Sequence, residues 1–215
     1  MIAAPYRFAI VGIGGFASTY LNQMTRLAGD GYGSHVANVA IPRDHELHPE
    51  VIADLREQGV ALFPSLDKML AAMRGAIDVV AIPTGIHLHQ TMAVVAMEAG
   101  CHVIVEKPAA GSVQDVDEMR AASMRTGRLC AVGFQHLYQP EFARLKEWIC
   151  EGRFGELHSI RCFGTWPRQP SYYARNKWAG MLAVDDTWVL DSPHNNALSH
   201  ALNCMLFLAS KEPKT

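Results

Sequence analysis

A chain of 215 residues, 49% hydrophobic and 19% charged, can bury one ordinary core plus part of another and has the composition of a globular protein. Its formal net charge of −2 gives no electrostatic case for nucleic acid or an anionic membrane, and no run approaches the ~20 apolar residues of a membrane helix. Cys101, Cys130, Cys150, Cys162 and Cys204 form no CxxC pair and read as reduced thiols of a cytoplasmic protein.

The apolar run from Phe8 to Ile13 is short and flows into a glycine turn, so it reads as a first strand rather than a signal peptide. A helix is expected over 17–27, a strand over 36–41, a helix over 49–58 and a short strand over 60–63. Ser65 reads as the N-cap of a helix reaching Met73. Residues 77–82 are continuously apolar, as in a strand buried on both faces. A helix over 89–98 stops at Ala99-Gly100, and His87 and His89 take loop or helix-cap roles. Then follow a strand over 102–105, a helix over 113–126 behind Ser112, and a strand over 129–133. This alternation predicts an α/β fold with a doubly wound parallel sheet and right-handed crossovers. Beyond it come a helix over 140–151, a strand over 158–165, an irregular segment over 166–186 and a last helix over 195–209. Residues 1–135 therefore form one domain. Residues 136–215 form a second, whose single clear strand and helix cannot close an independent core.

Gly12-x-Gly14-x-x-Ala17 follows the first strand and opens the first helix. There Gly12 permits a tight turn, Gly14 a close backbone approach to a pyrophosphate, and Ala17 close helix–strand packing. The helix N-terminus favours phosphate charge, so the pattern points to a dinucleotide. The second strand ends Ile41-Pro42-Arg43-Asp44, with Ile41 where an acid would hold a ribose hydroxyl. Arg43 is then either a 2′-phosphate ligand or a surface arginine in a loop, leaving NAD and NADP both open. Pro83, Thr84 and His89 lie at the carboxyl end of the fourth strand, where the backbone meets the ribose or nicotinamide. No histidine there has a partner at metal-ligand spacing, and no metal is expected. The fifth strand ends Glu106-Lys107-Pro108. Lys107 is either a proton-transfer group in a partly dry crevice or half of a surface salt bridge, and Glu106 either orients it or contacts the ribose.

Gly12-Ile-Gly14-Gly15-Phe16-Ala17, then Ile82-Pro83 with His89, then Ala99-Gly100-Cys-His-Val-Ile-Val-Glu106-Lys107-Pro108 together resemble the Gfo/Idh/MocA oxidoreductases, over residues 6–150. The resemblance implies a Rossmann domain followed by the start of an α+β substrate and oligomerisation domain, in a longer, homo-oligomeric protein. It places Lys107 by the nicotinamide and the substrate hydroxyl. The implied reaction is hydride transfer between NAD(P) and a hydroxyl-bearing carbon of a sugar, polyol or sugar acid. A redox-assisted lyase or glycosidase, and a dinucleotide-binding sensor or assembly subunit without turnover, use the same parts.

The family often shows Asp-x-x-x-His on the first helix of the second domain, and the resemblance implies that the pair assists proton transfer. Here Asp191 matches, and the histidine position falls on Asn195, which hydrogen-bonds but cannot serve as an acid or base at neutral pH. His194 and His200 are nearby, although His200 falls on an offset helical face. Within the second domain, Trp166, Arg168, Tyr173, Arg175, Asn176 and Trp178 offer guanidinium forks and aromatic platforms for a carbohydrate-like ligand. The other reading of this segment is a loop packed by its own aromatics.

Overall fold

The computed structural model describes residues 5–210. They fall into two compact units, the first ending at Val132 and the second starting at Gly133.

The first unit is built on six parallel strands: β1 (Tyr6–Val11), β2 (Gly33–Val39), β3 (Ala61–Phe63), β4 (Val79–Ile82), β5 (His102–Val105) and β6 (Cys130–Val132). Their order is β3-β2-β1-β4-β5-β6, with every pair parallel. This is the doubly wound Rossmann arrangement, whose ligand crevice opens where the order reverses, between β1 and β4. The helices are α1 (Ala17–Gly29), α2 (Pro42–Leu47), α3 (Pro49–Glu57), α4 (Leu66–Ala72), α5 (Ile86–Glu98) and α6 (Val113–Thr126). All four residues of β4 are buried, as a central strand covered on both faces requires. The largest apolar cluster joins Val11, Val39, Val80, Ile82, Val103 and Val105 to Met69, Met97 and Met119 from the helices. Ser65 accepts from the Lys68 amide, and Ser112 and Asp115 close a reciprocal capping box, so both expected caps are present.

Three local expectations for this unit need correction. Arg43 lies in a helix, not a loop. Pro42 occupies the first position of α2, and the Asp44 carboxylate accepts from the Ile41 amide at 3.0 Å, which starts a helix immediately after the strand. His87 and His89 lie inside the first turn of α5, because Gly85 caps that helix and it begins at Ile86. Strand β2 ends at Val39, leaving Ile41 as the extended N-cap residue of α2.

The second unit contains a 3-10 turn (Gln135–Tyr138), α7 (Pro140–Cys150), α8 (Pro170–Ala174), the antiparallel pair β7 (Ala183–Val184) and β8 (Thr187–Trp188), a π-type turn (Pro193–Ala197) and α9 (Ser199–Ala209). Residues 158–165, expected as a strand, form none. They pair with no strand among the described residues, and Phe163 is 91% exposed. The stretch expected to be irregular instead contains α8 and β7, with β8 just beyond it. The last helical segment starts at 193 rather than 195, because Ser192 caps the Asn195 amide and Pro193 takes the first helical position.

The fully buried Lys146 of α7 donates to the Phe207 carbonyl (2.6 Å), the Ser210 carbonyl (2.5 Å) and Ser210 Oγ (2.8 Å). Its ammonium thus satisfies carbonyls that the end of α9 leaves unpaired. All five cysteines are free. No described helix is long and apolar enough to cross a membrane.

Candidate active site

The carboxyl rim of the first sheet carries most of the expected residues. Gly12 sits at φ +102, where side chains are rarely tolerated, and its amide donates to the Val39 carbonyl at 3.0 Å. Buried Asn38 pins the same turn, its Nδ2 donating to the carbonyls of Gly12 (3.0 Å) and Val39 (2.9 Å). A Cβ on Gly12 would stand 3.8 Å from the Ala17 methyl, so turn and helix meet closely. A Cβ on Gly14 would come within 2.7 Å of His48 Nε2, so a larger residue there needs that imidazole to shift. Gly15 also needs its freedom, at φ +61, and Phe16 is half exposed at the N-cap of α1.

Helix α1 has no side-chain cap and no acid in its first turn. Its amino end therefore keeps its positive character for an external anion. A bare glycine turn aimed at an uncapped, acid-free helix start fits a dinucleotide pyrophosphate. Gly12, Gly14, Gly15, Phe16 and Ala17 are the residues that would hold it.

Across the rim, Glu106 is 9% exposed at the end of β5. Tyr20 of α1 donates its hydroxyl to Glu106 Oε1 at 2.8 Å, and the Lys107 amide donates to Oε2 at 3.2 Å. Burial holds the Glu106 carboxyl above its usual range, while the Tyr20 bond, the Lys107 amide and the Lys107 charge pull it back down. Burial and the facing carboxylate push the Tyr20 phenol far upward, so it stays a hydrogen donor. Glu106 thus faces Tyr20 and the backbone of its own strand end, which fixes the peptide bearing the half-buried Lys107.

His89 is 1% exposed, with Nδ1 2.9 Å from the Pro108 carbonyl and Nε2 3.1 Å from the Thr84 carbonyl. Burial holds the imidazole below its usual range, and a neutral ring can donate to only one carbonyl at a time. Its place is between two rim loops, those after β4 and β5. Pro83 is buried and Thr84 half-buried on the first of these loops. Arg43 is exposed in the first turn of α2. Tyr20, Asn38 and His48 escaped the sequence reading. Only Asn38 left a signal, as a lone amide in the apolar stretch Val36-Ala-Asn-Val-Ala.

In the second unit, Asp191 Oδ2 accepts from the Gly180 amide (2.6 Å) and Oδ1 from Asn196 Nδ2 (2.9 Å). Asn195 Nδ2 donates to the Leu190 carbonyl at 3.1 Å. Leu190 stands at φ +49, a conformation costly for a branched residue, directly before Asp191. His200 Nδ1 lies 3.3 Å from His136 Nδ1, with the ring edge-on to Phe134, and His194 is exposed in the π-type turn. Asn176 is committed locally, its Oδ1 accepting from the amides of Trp178 (3.1 Å) and Ala179 (2.7 Å). Tyr173 packs on Gly180, where a Cβ would meet its ring at 2.7 Å. Trp166, Arg168, Arg175 and Trp178 gather around Tyr172 of the same segment.

Among the described residues no cluster of three or more histidine, cysteine or acidic side chains is set to hold a metal.

A family model described as an oxidoreductase family with an NAD-binding Rossmann fold, Gfo/Idh/MocA, matches residues 6–134. Among solved structures, the WlbA dehydrogenase of Chromobacterium violaceum, in complex with NADH and UDP-GlcNAcA, is 26% identical with a TM-score of 0.81. That match covers 98% of this chain and 57% of the other. An inositol 2-dehydrogenase/D-chiro-inositol 3-dehydrogenase of Halalkalibacterium halodurans is 26% identical over 208 residues, 96% of this chain and 53% of that protein. A D-glucoside 3-dehydrogenase of Escherichia coli is 26% identical over 158 residues, 74% of this chain and 43% of that protein. The chain thus spans about half or less of the length of the curated relatives it matches.

Proposed function

The chain belongs to the Gfo/Idh/MocA oxidoreductase family, with its NAD-binding Rossmann fold, and from that premise we propose that it carries the dinucleotide site and the opening of the substrate domain of a sugar or polyol dehydrogenase. Named relatives act on glucosides, inositols, levoglucosan and xylose, which supports a carbohydrate-like substrate. The observation that carries the reading is the rim itself. A glycine turn leads into an uncapped, acid-free helix start suited to an anion, and the strand two positions over ends in a lysine on a peptide held by a buried carboxylate.

When bound, a nicotinamide dinucleotide supplies the hydride acceptor or donor, and the protein supplies alignment and a proton path. Lys107 takes the hydroxyl proton in oxidation and returns it in reduction. Glu106 and Tyr20 hold the Lys107 backbone, and His89 ties the following Pro108 carbonyl to the loop after β4. Asp191 and Asn195 orient the substrate hydroxyl. The strained Leu190 supports this role, because a costly backbone conformation beside a carboxylate is a common mark of a functional position. Ile41 offers no carboxylate to a ribose 2′-hydroxyl, and the Asp44 carboxylate beside Arg43 accepts from the Ile41 amide. NAD and NADP are both compatible with that end, and paired titrations of the two distinguish them.

A second reading, a dinucleotide-binding protein without turnover, is favoured by Asn195 standing where the resemblance leads one to expect histidine and by both Asp191 oxygens being engaged. The full-length protein, given a panel of sugars, polyols and sugar acids with NAD and NADP, tests both readings. Reduced-nicotinamide absorbance appearing with one substrate class supports the dehydrogenase. Tight NADH binding with no change across the panel supports the second reading.

A further inference from the structure

Residues 166–178 hold five side chains in one alternating stack. The Arg168 guanidinium carbon lies 4.3 Å from the Trp166 ring centroid and 4.4 Å from that of Tyr172. Arg175 lies 4.0 Å from the same Tyr172 ring and 5.4 Å from Trp178. Stacking occupies the faces of a guanidinium group and leaves its in-plane N–H fork for another partner. Among the described residues, neither arginine has a carboxylate within ion-pair distance or a hydrogen-bond acceptor.

The same unit contains its own contrast. Arg144 and Arg153 both stack on Trp148, at 5.4 and 5.8 Å, and each also donates to a carboxylate, Glu147 at 2.7 Å and Glu151 at 2.5 Å. There the stacked cations are neutralised within the protein. At Tyr172 two cations rest on one ring with no counter-charge. The stack limits rotation of both forks, and an anion from outside would reduce their mutual repulsion. A carboxylate or phosphate presents the paired oxygens that such a fork matches.

We propose that Arg168 and Arg175 form a subsite for an oxyanion, a carboxylate or phosphate ester, carried on the substrate. The inference rests on reading residues 166–178 as substrate-facing. It narrows the substrate class from carbohydrates in general to acidic or phosphorylated ones.

The test uses the full-length protein with NADH bound, titrated with D-glucuronate, D-glucose 6-phosphate and D-glucose. Binding is followed by calorimetry and by the fluorescence of Trp166 and Trp178, which flank the arginines. The expected result is at least tenfold tighter binding of one charged sugar than of glucose, with the preferred one telling carboxylate from phosphate. Arg168→Met and Arg175→Met keep the aliphatic packing, and each is expected to erase that preference. Arg168→Lys keeps the charge but not the fork, and is expected to retain only part of it. Equal binding of all three sugars, no binding of any, or a preference surviving in both methionine variants would overturn the proposal. NADH affinity in the same samples reports the dinucleotide site separately. Intact NADH binding without charge preference removes only this subsite, whereas absent NADH binding removes the proposed function.

Discussion

Replacing Tyr20 with phenylalanine removes one hydroxyl and nothing else, and the structure says what that hydroxyl does. It donates at 2.8 Å to a carboxylate that is 9% exposed. A hydrogen bond to a charged group is worth about 1.5–3 kcal/mol, and Tyr20 is only partly buried, so a loss of about 2 kcal/mol is expected at neutral pH. For a chain of this size that corresponds to a melting temperature lower by roughly 4–8 °C. The loss depends on pH with a definite sign. Burial already raises the Glu106 carboxyl, and the Tyr20 bond is one of the contacts opposing that rise. A raised carboxyl favours the folded state below the ordinary carboxyl range, and that contribution fades as pH climbs through the raised value. Without Tyr20 the value rises further, so the penalty of Tyr20→Phe grows as pH climbs through and above the ordinary carboxyl range. Denaturant melts of both proteins across that range measure it. A penalty below about 0.5 kcal/mol at neutral pH, or one flat with pH, refutes the role given to this pair.

Two further outcomes follow from the rim. Gly14→Ala places a Cβ 2.7 Å from His48 Nε2 and is expected to cost about 1–3 kcal/mol and at least tenfold in NADH affinity. Adding His48→Ala restores stability, and an unchanged NADH affinity in Gly14→Ala alone would contradict the placement of the turn. Buried His89 resists protonation, so the unfolded chain takes up that proton first on acidification, and stability falls as pH drops below the ordinary histidine range. His89→Gln cannot titrate and is expected to flatten that slope by up to about 1.4 kcal/mol per pH unit. Chemical denaturation between about pH 7 and 5 measures it, and an unchanged slope excludes His89 as its source.

The sheet was legible because its signals are local. Continuous apolar runs such as the one containing Val79–Ile82, caps at Ser65 and Ser112, and the Gly100 stop each follow from a few adjacent residues. The failures were of another kind. Residues 158–165 carry strand-like residue types, but a strand exists only with a hydrogen-bonded neighbour, which one segment cannot reveal. Helix α2 was hidden because Pro42 after an apolar run reads equally as a turn. Lys146 finds its acceptors only in Phe207 and Ser210, 61 and 64 residues on, a pairing no local pattern reveals. Tyr20 is likewise 86 residues from Glu106. At the Tyr172 stack the residue types were visible, but which cations lack a counter-charge is a property of the folded chain alone.

The central claim is that Lys107 moves a proton for a dinucleotide bound on the same rim, and Lys107→Ala tests it with two readouts on one full-length sample. Proton transfer by a positioned side chain is worth about 10²–10⁴ in rate, so turnover is expected to fall by at least about 10². NADH affinity, read by nicotinamide fluorescence, is expected to stay within about threefold, since pyrophosphate binding belongs to the glycine turn and α1. Turnover that survives the substitution unchanged would contradict the account.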